Sequence, residues 1–90
     1  MFQKPESFGY TVYTKSNCVY CDKVKQLLKH DSVTYIDCDE YLAERFEFLS
    51  FIENVAGEPY HMFPMVFYNK RFIGGYEQTK REKEEKEYEF

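Results

Sequence analysis

Residues Tyr10 to Lys29 read Y-T-V-Y-T-K-S-N-C-V-Y-C-D-K-V-K-Q-L-L-K. The first part is aromatic and β-branched, which favours a strand. From Val19 onward, Tyr20, Val24, Leu27 and Leu28 recur at three- and four-residue spacing, while Lys23, Lys25 and Lys29 fall on the other side. That is the pattern of an amphipathic helix, ending near His30-Asp31. Ser16 and Asn17 are helix-start residues whose side chains accept bonds from first-turn N–H groups. Cys18 and Cys21, separated by two residues, therefore sit where a strand passes into a helix.

A thiolate, not a thiol, attacks a disulfide. At the predicted helix start Cys18 faces unpaired N–H groups and the positive end of the helix dipole, which favour an anion. Lys15, three residues earlier, adds a positive charge. Such features lower a cysteine pKa into a range of roughly 3.5–7.5. Cys21, about a turn further in, is expected to be more buried. The asymmetry assigns Cys18 as nucleophile and Cys21 as resolving thiol. The rival is a zinc site recruiting Cys38 with His30 or His61, but the paired knuckle spacing of such sites is absent.

Working outward, residues 1–7 are polar with one proline and read as a loose leader, and Phe8 to Tyr13 as the first strand. Val33 to Asp37 (V-T-Y-I-D) reads as a second, far enough from the first for a right-handed β-α-β crossover with parallel pairing. A C-x-x-C pair beside that pattern is the signature of a thioredoxin-like redox site. Cys38-Asp39-Glu40 is a turn. Phe46, Leu49, Ile52 and Val55 mark a second helix, stopped at Gly57. A loop with Pro59 and Pro64 leads to a third strand, Met65 to Tyr68. Asn69-Lys70 reads as a hairpin turn and Arg71 to Ile73 as the fourth strand. Tyr76 to Phe90 reads as a last helix with i,i+4 pairs Lys80–Glu84, Arg81–Glu85, Glu82–Lys86 and Lys83–Glu87, its charged end spanning 80–90. The expected fold is α/β, thioredoxin-like: a mixed four-stranded sheet flanked by helices in the order β-α-β-α-β-β-α.

Ninety residues suit one domain, 1–90. The hydrophobic fraction of 43% allows a core, filled in large part by nine Tyr and nine Phe. A net charge of −4 argues against a nucleic-acid footprint. No apolar run approaches the roughly 20 residues of a membrane span. No secretory signal is visible at the N-terminus. Three cysteines without such a signal fit a reducing compartment, so a cytoplasmic location is expected.

T-V-Y-T-K-S-N-C-V-Y-C at Thr11 to Cys21, F-P-M-V-F at Phe63 to Phe67 and I-G-G-Y at Ile73 to Tyr76 together resemble a glutaredoxin. The resemblance covers almost the whole chain, in order and at matching spacings. It is to small glutaredoxins of the dithiol type, including phage-encoded ones that also carry C-V-Y-C. Val19 stands where many members have Pro, and no Trp precedes the first cysteine as it does in thioredoxins.

The resemblance implies a glutathione-dependent thiol–disulfide oxidoreductase, with Cys18 and Cys21 catalytic, no bound cofactor, and glutathione as co-substrate. Lys15 and His61 would face the glycyl carboxylate of glutathione, and Tyr20 would wall the thiol site. Pro64 would be cis, leaving the Phe63 backbone free to pair with the cysteinyl residue. Gly75 would give backbone room, and Tyr76, Glu77 and Gln78 would open the last helix at the γ-glutamyl end. Many members have Ser or Thr followed by Asp at Glu77-Gln78, and Thr-Val at Met62-Phe63. Partners implied are glutathione and disulfide-containing or glutathionylated proteins, with ribonucleotide reductase a client by resemblance only. No nucleic acid or membrane is expected, and a monomer is. The alternatives are a glutathione-independent redoxin and an iron–sulfur or zinc-binding module using the same cysteines.

Overall fold

The computed structural model describes residues 1–87, so positions 88–90 of the expected last helix lie outside the described residues. The elements run β1 (Tyr10–Thr14), α1 (Val19–Leu27), β2 (Val33–Asp37), α2 (Arg45–Ala56), β3 (Met65–Tyr68), β4 (Arg71–Gly74) and α3 (Tyr76–Glu87). A 3-10 turn at Tyr41–Glu44 leads into α2. The strands form one sheet in the order β2-β1-β3-β4. β1 runs parallel to β2, with Val12 opposite Tyr35, and antiparallel to β3, with Val12 opposite Val66. β3 and β4 form an antiparallel hairpin, with Phe67 opposite Phe72. This is the thioredoxin-like arrangement read from the pattern of elements.

β1 is paired on both sides and buried throughout. Its side chains alternate between the two faces of the sheet. Tyr13, with Ile36, Met65 and Phe67, packs on one face against Phe48 and Ile52 of α2. Tyr10 and Val12, with Val66, pack on the other against Val24 and Leu28. Phe48 centres the first cluster: the rings of Phe2, Tyr13, Tyr41, Phe51 and Phe63 lie 5.4 to 6.4 Å from its own. Burying one such ring contributes about 1.5–3 kcal/mol.

Residues 1–7, expected to be a loose leader, are instead tied down. Phe2 lies 4.9 Å from Tyr41, edge to face. The Tyr13 hydroxyl donates to the Gln3 carbonyl at 2.6 Å. The Gln3 N–H donates to Tyr41 Oη at 3.1 Å, and the Glu6 N–H to Thr11 Oγ1 at 2.9 Å. The physical reason is Tyr13: a buried phenol needs an acceptor, and the leader supplies it.

Other boundaries move by a few residues. Phe8, expected in the first strand, is 87% exposed, and the ladder begins after Gly9. α1 closes at Leu28, where its N–H reaches the Val24 carbonyl, before the expected end at His30-Asp31. Gly57 caps α2 in the left-handed region, φ 82°, its N–H on the Glu53 carbonyl at 2.9 Å. Asn69 and Lys70 form the hairpin turn with φ 50° and 72°, the backbone of a type I′ turn.

The expected i,i+4 pairs of the last helix largely give way to tertiary ones. Glu82 and Lys86 lie 3.6 Å apart, but Lys83 reaches Asp31 at 2.7 Å and Glu82 also holds Arg71 at 2.9 Å. Among the described residues Lys80–Glu84 and Arg81–Glu85 form no ion pair, and the side chain of Glu87 lies outside them. The charges therefore dock α3 on β4 and on the turn after α1. Among the described residues no helix is long and apolar enough to cross a membrane.

Candidate functional site

The site is built where β1 ends and α1 begins. Cys18 is the N-cap of α1, with extended φ −121° and ψ 102°. This geometry turns its side chain back over the first turn, where Sγ accepts from the Cys21 N–H at 3.2 Å. Cys18 is half-buried, whereas Cys21 is 1% exposed. Their Cα atoms lie 5.2 Å apart and the two are joined as a disulfide. The expected asymmetry is thus present: one sulfur at the surface on a helix N-terminus, the other beneath it. The Cys21 N–H and the positive end of the α1 dipole thus both lie at Cys18 Sγ.

The loop that presents Cys18 is anchored from the turn after β2. The Ser16 N–H donates to Asp39 Oδ1 at 2.9 Å, and the Ser16 hydroxyl donates to Asp39 Oδ2. Asp39 is oriented in turn by its own N–H on Asp37 Oδ1 at 3.0 Å. The Ser16 hydroxyl and N–H, followed by nearby Lys15, hold the Asp39 carboxyl below the usual range. Asn17 takes φ 56°, a left-handed turn that asparagine tolerates. The sequence offered no pattern for Asp39, because its partner is distant in the chain.

A groove of about 440 Å³ reaches the first turn of α1 at Tyr20, two residues from Cys18, and is lined by Tyr20, Tyr60, Met62, Phe63, Pro64, Gly75, Tyr76, Glu77 and Gln78, with Cys18 not among the lining residues. The Phe63–Pro64 bond is cis. Among the described residues the Phe63 backbone takes part in no hydrogen bond. Phe63 stacks on Phe48 with rings 2° from parallel, so the groove wall rests on the core. Gly75 sits at a close approach: a Cβ there would meet Tyr60 Oη at 2.9 Å. Gln78 folds back so that Oε1 accepts from the Gly75 N–H at 3.0 Å, the return half of a capping box on α3.

Seven of the residues singled out from sequence therefore meet in one groove: Tyr20, Phe63, Pro64, Gly75, Tyr76, Glu77 and Gln78. Lys15 does not line it. Its ammonium lies 5.7 Å from the Phe63 ring centroid, and it lines a separate polar depression with Cys18, Lys25, Tyr35 and Asp37. His61 points to neither; it lines a cavity with Arg45, Phe46, Leu49 and Tyr60. Tyr60 and Met62 were not anticipated. The signal available was their place two and four residues before Pro64, in the same loop as Phe63. A larger, shallower depression lies outside the groove between α1 and α3, lined by Val19, Asp22, Lys23, Gln26, Leu27 and Tyr76.

Cys38 is wholly buried. Burial, followed by the carboxylate of Asp37, pushes its thiol up to about 12. Its Sγ donates to the Ile36 carbonyl at 3.5 Å. Among the described residues no three His, Cys, Asp or Glu side chains gather as a metal-binding group, so the zinc set of Cys38 with His30 or His61 does not assemble.

The family profile of the glutaredoxins matches residues 10–73. Compared by sequence with curated proteins, the chain finds no match. Among solved structures, glutaredoxin 1 of Francisella tularensis, complexed with cacodylate, is 23% identical, with a TM-score of 0.75, 89% of this chain and 96% of that one covered. The holo form of glutaredoxin C1 from Populus tremula x tremuloides is 29% identical, with a TM-score of 0.71, covering 90% and 79%. A buckwheat glutaredoxin–glutathione complex is 22% identical, with a TM-score of 0.70, covering 86% and 69%. A surface cysteine capping a helix over a buried partner, in a fold shared with these proteins, is a dithiol suited to thiol–disulfide exchange, and the chain belongs to the glutaredoxin family.

Proposed function

We propose that this protein is a glutathione-dependent thiol–disulfide oxidoreductase that reduces glutathione mixed disulfides and protein disulfides through Cys18 and Cys21. The observation that carries the reading is the groove that reaches Tyr20, two residues from Cys18, and gathers Phe63, Gly75, Tyr76, Glu77 and Gln78 with it. An extended peptide thiol laid there has the unpaired Phe63 backbone for strand-like pairing and the start of α3 for a terminal carboxylate. Glu77, exposed at that end, offers an acceptor for an ammonium. The buckwheat protein of this fold, solved with glutathione, supports the choice of ligand.

With a glutathionylated protein, the Cys18 thiolate attacks the glutathione sulfur, and the client sulfur leaves as a thiolate. A second glutathione thiolate then attacks the bound glutathione sulfur. Glutathione disulfide departs and Cys18 is a thiolate again. With a protein disulfide, Cys18 attacks one sulfur and the other leaves. Cys21 then attacks Cys18 Sγ, freeing the client dithiol and closing the Cys18–Cys21 disulfide. Two glutathiones reopen it, leaving as glutathione disulfide. Glutaredoxin potentials near −200 to −230 mV lie within reach of a cytosolic glutathione pool. The clients are disulfide-containing or glutathionylated proteins, met in the cytoplasm.

The test is glutathione-coupled reduction of hydroxyethyl disulfide by wild type, Cys18→Ser and Cys21→Ser. Turnover is expected in wild type, none in Cys18→Ser, and substantial turnover in Cys21→Ser. No turnover in wild type, or retained turnover in Cys18→Ser, overturns the reading.

A further inference from the structure

Tyr20 and Tyr76 form the outer wall of the groove, one from the first turn of α1 and the other from the start of α3. Their ring centroids are 5.9 Å apart and the planes are tilted by 39°. Tyr20 is 52% exposed, so packing against the core does not fix it. No hydrogen bond restrains its hydroxyl among the described residues. A free aromatic at that position samples several rotamers, and its freezing on ligand binding costs entropy.

One side chain touches both rings. Lys23, three residues after Tyr20 and so one helical turn along, places Nζ 5.2 Å from the Tyr20 centroid and 5.7 Å from that of Tyr76. Both distances fall inside the roughly 6 Å within which a cation is attracted to a ring face. Lys23 itself lines the depression on the outer side of the wall, which shares Tyr76 with the groove. It therefore stands behind the wall, out of the groove.

We infer that Lys23 is a positioning residue: its ammonium holds Tyr20 and Tyr76 together as a preformed wall, and so sets how tightly the groove binds its peptide thiol. The inference rests on the glutathione reading of the groove and goes beyond it, since Lys23 touches neither the reacting sulfurs nor the ligand's path. An arginine keeps the effect, because its guanidinium also stacks on aromatic faces. A methionine keeps the length and apolar stem but loses the charge. Two exposed cation–ring contacts of about 0.5–1 kcal/mol each correspond to roughly a 5- to 30-fold change in an equilibrium constant.

The experiment compares wild type, Lys23→Met and Lys23→Arg in two measurements. In the first, KM and kcat are determined with a glutathionylated cysteine peptide as the varied substrate. Lys23→Met is expected to raise KM about 5- to 30-fold with kcat within twofold of wild type, and Lys23→Arg to restore KM to within about twofold. In the second, needing no ligand, NMR follows ring-to-ring contacts between Tyr20 and Tyr76, which are expected to weaken in Lys23→Met and return in Lys23→Arg. An unchanged KM in Lys23→Met, a fall confined to kcat, or ring contacts indifferent to the substitution overturns the inference while the glutathione reading stands. A wild type without glutathione-linked turnover overturns both.

Discussion

At the scale of single residues, two cysteines and two tyrosines separate reactivity from packing. Cys18 and Cys38 are the same side chain in opposite surroundings: one caps a helix at the surface, the other lies in the core with its thiol pushed up to about 12. Reduced native protein is therefore expected to yield two fast-reacting thiols at most with a disulfide reagent at pH 8, and all three only after denaturation. A rapid third thiol in the native state contradicts the burial. The shift also has a thermodynamic sign. A thiol or phenol whose folded pKa is raised binds its proton longer in the native state, so its contribution is complete below the unfolded pKa and is lost above it. For Cys38, from about 9 to about 12, and for Tyr10, from 10.0 to about 12, desolvation is the first cause. Tyr13 is raised in the same direction by burial. Thermal unfolding is expected at a steady temperature from pH 7 to 9 and at a falling one above it, and a Cys38→Ala variant is expected to fall less steeply. In the sequence Cys38 was legible only as a turn residue and a rival zinc ligand; its complete burial depends on which face of the sheet receives α2.

The elements were legible where local chemistry decides them and displaced where a distant partner does. β2 and β3 fall on Val33–Asp37 and Met65–Tyr68 as read, because short apolar runs bounded by turn residues leave few choices. Gly57 ends α2 as expected. Its φ of 82° is the left-handed region, and a Cβ there meets nothing within 4 Å, so Gly57→Ala is expected to lose only conformational energy, about 1 kcal/mol in denaturant unfolding. Gly75 is the contrasting case. A Cβ would press on Tyr60 Oη at 2.9 Å, so Gly75→Ala is expected to displace Tyr60 from the groove wall and raise KM for a glutathionylated substrate more than it lowers stability. The leader was missed for a plain reason: a single Phe2 has no period, and its pocket is made by Tyr41, Phe48 and Phe51 from elsewhere in the chain. The i,i+4 ladder of α3 was overread, because Lys83 and Glu82 find better-placed partners in Asp31 and Arg71. Ion pairs this exposed contribute about 0–1 kcal/mol, so the exchange costs the fold little.

At the scale of the whole molecule, the sheet carries two cores and the site sits on the seam between them. α2 covers one face; α1 and α3 cover the other, and the groove opens where loop 57–64 from the first side meets α1 and α3 from the second. Phe48 links core to site through its stack on Phe63. Phe48→Ala is therefore expected to cost about 3–5 kcal/mol and, in whatever fraction stays folded, to raise KM through a loosened Phe63. The resemblance named seven of the groove's residues, Tyr20, Pro64 and Gly75 among them, through motifs that lie far apart in the chain. It did not foretell Asp39, Tyr60 or Lys23, whose roles exist only across elements, nor that His61 would turn to a different cavity from Phe63 two residues on. The claim on which the rest depends is that glutathione bound to Cys18 lies in this groove. It is tested most directly by NMR of Cys21→Ser before and after a single glutathione is joined to Cys18. The expected shifts cluster at Tyr20, Phe63, Gly75, Glu77 and Gln78. Shifts confined instead to the polar depression of Lys25, Tyr35 and Asp37 would contradict it.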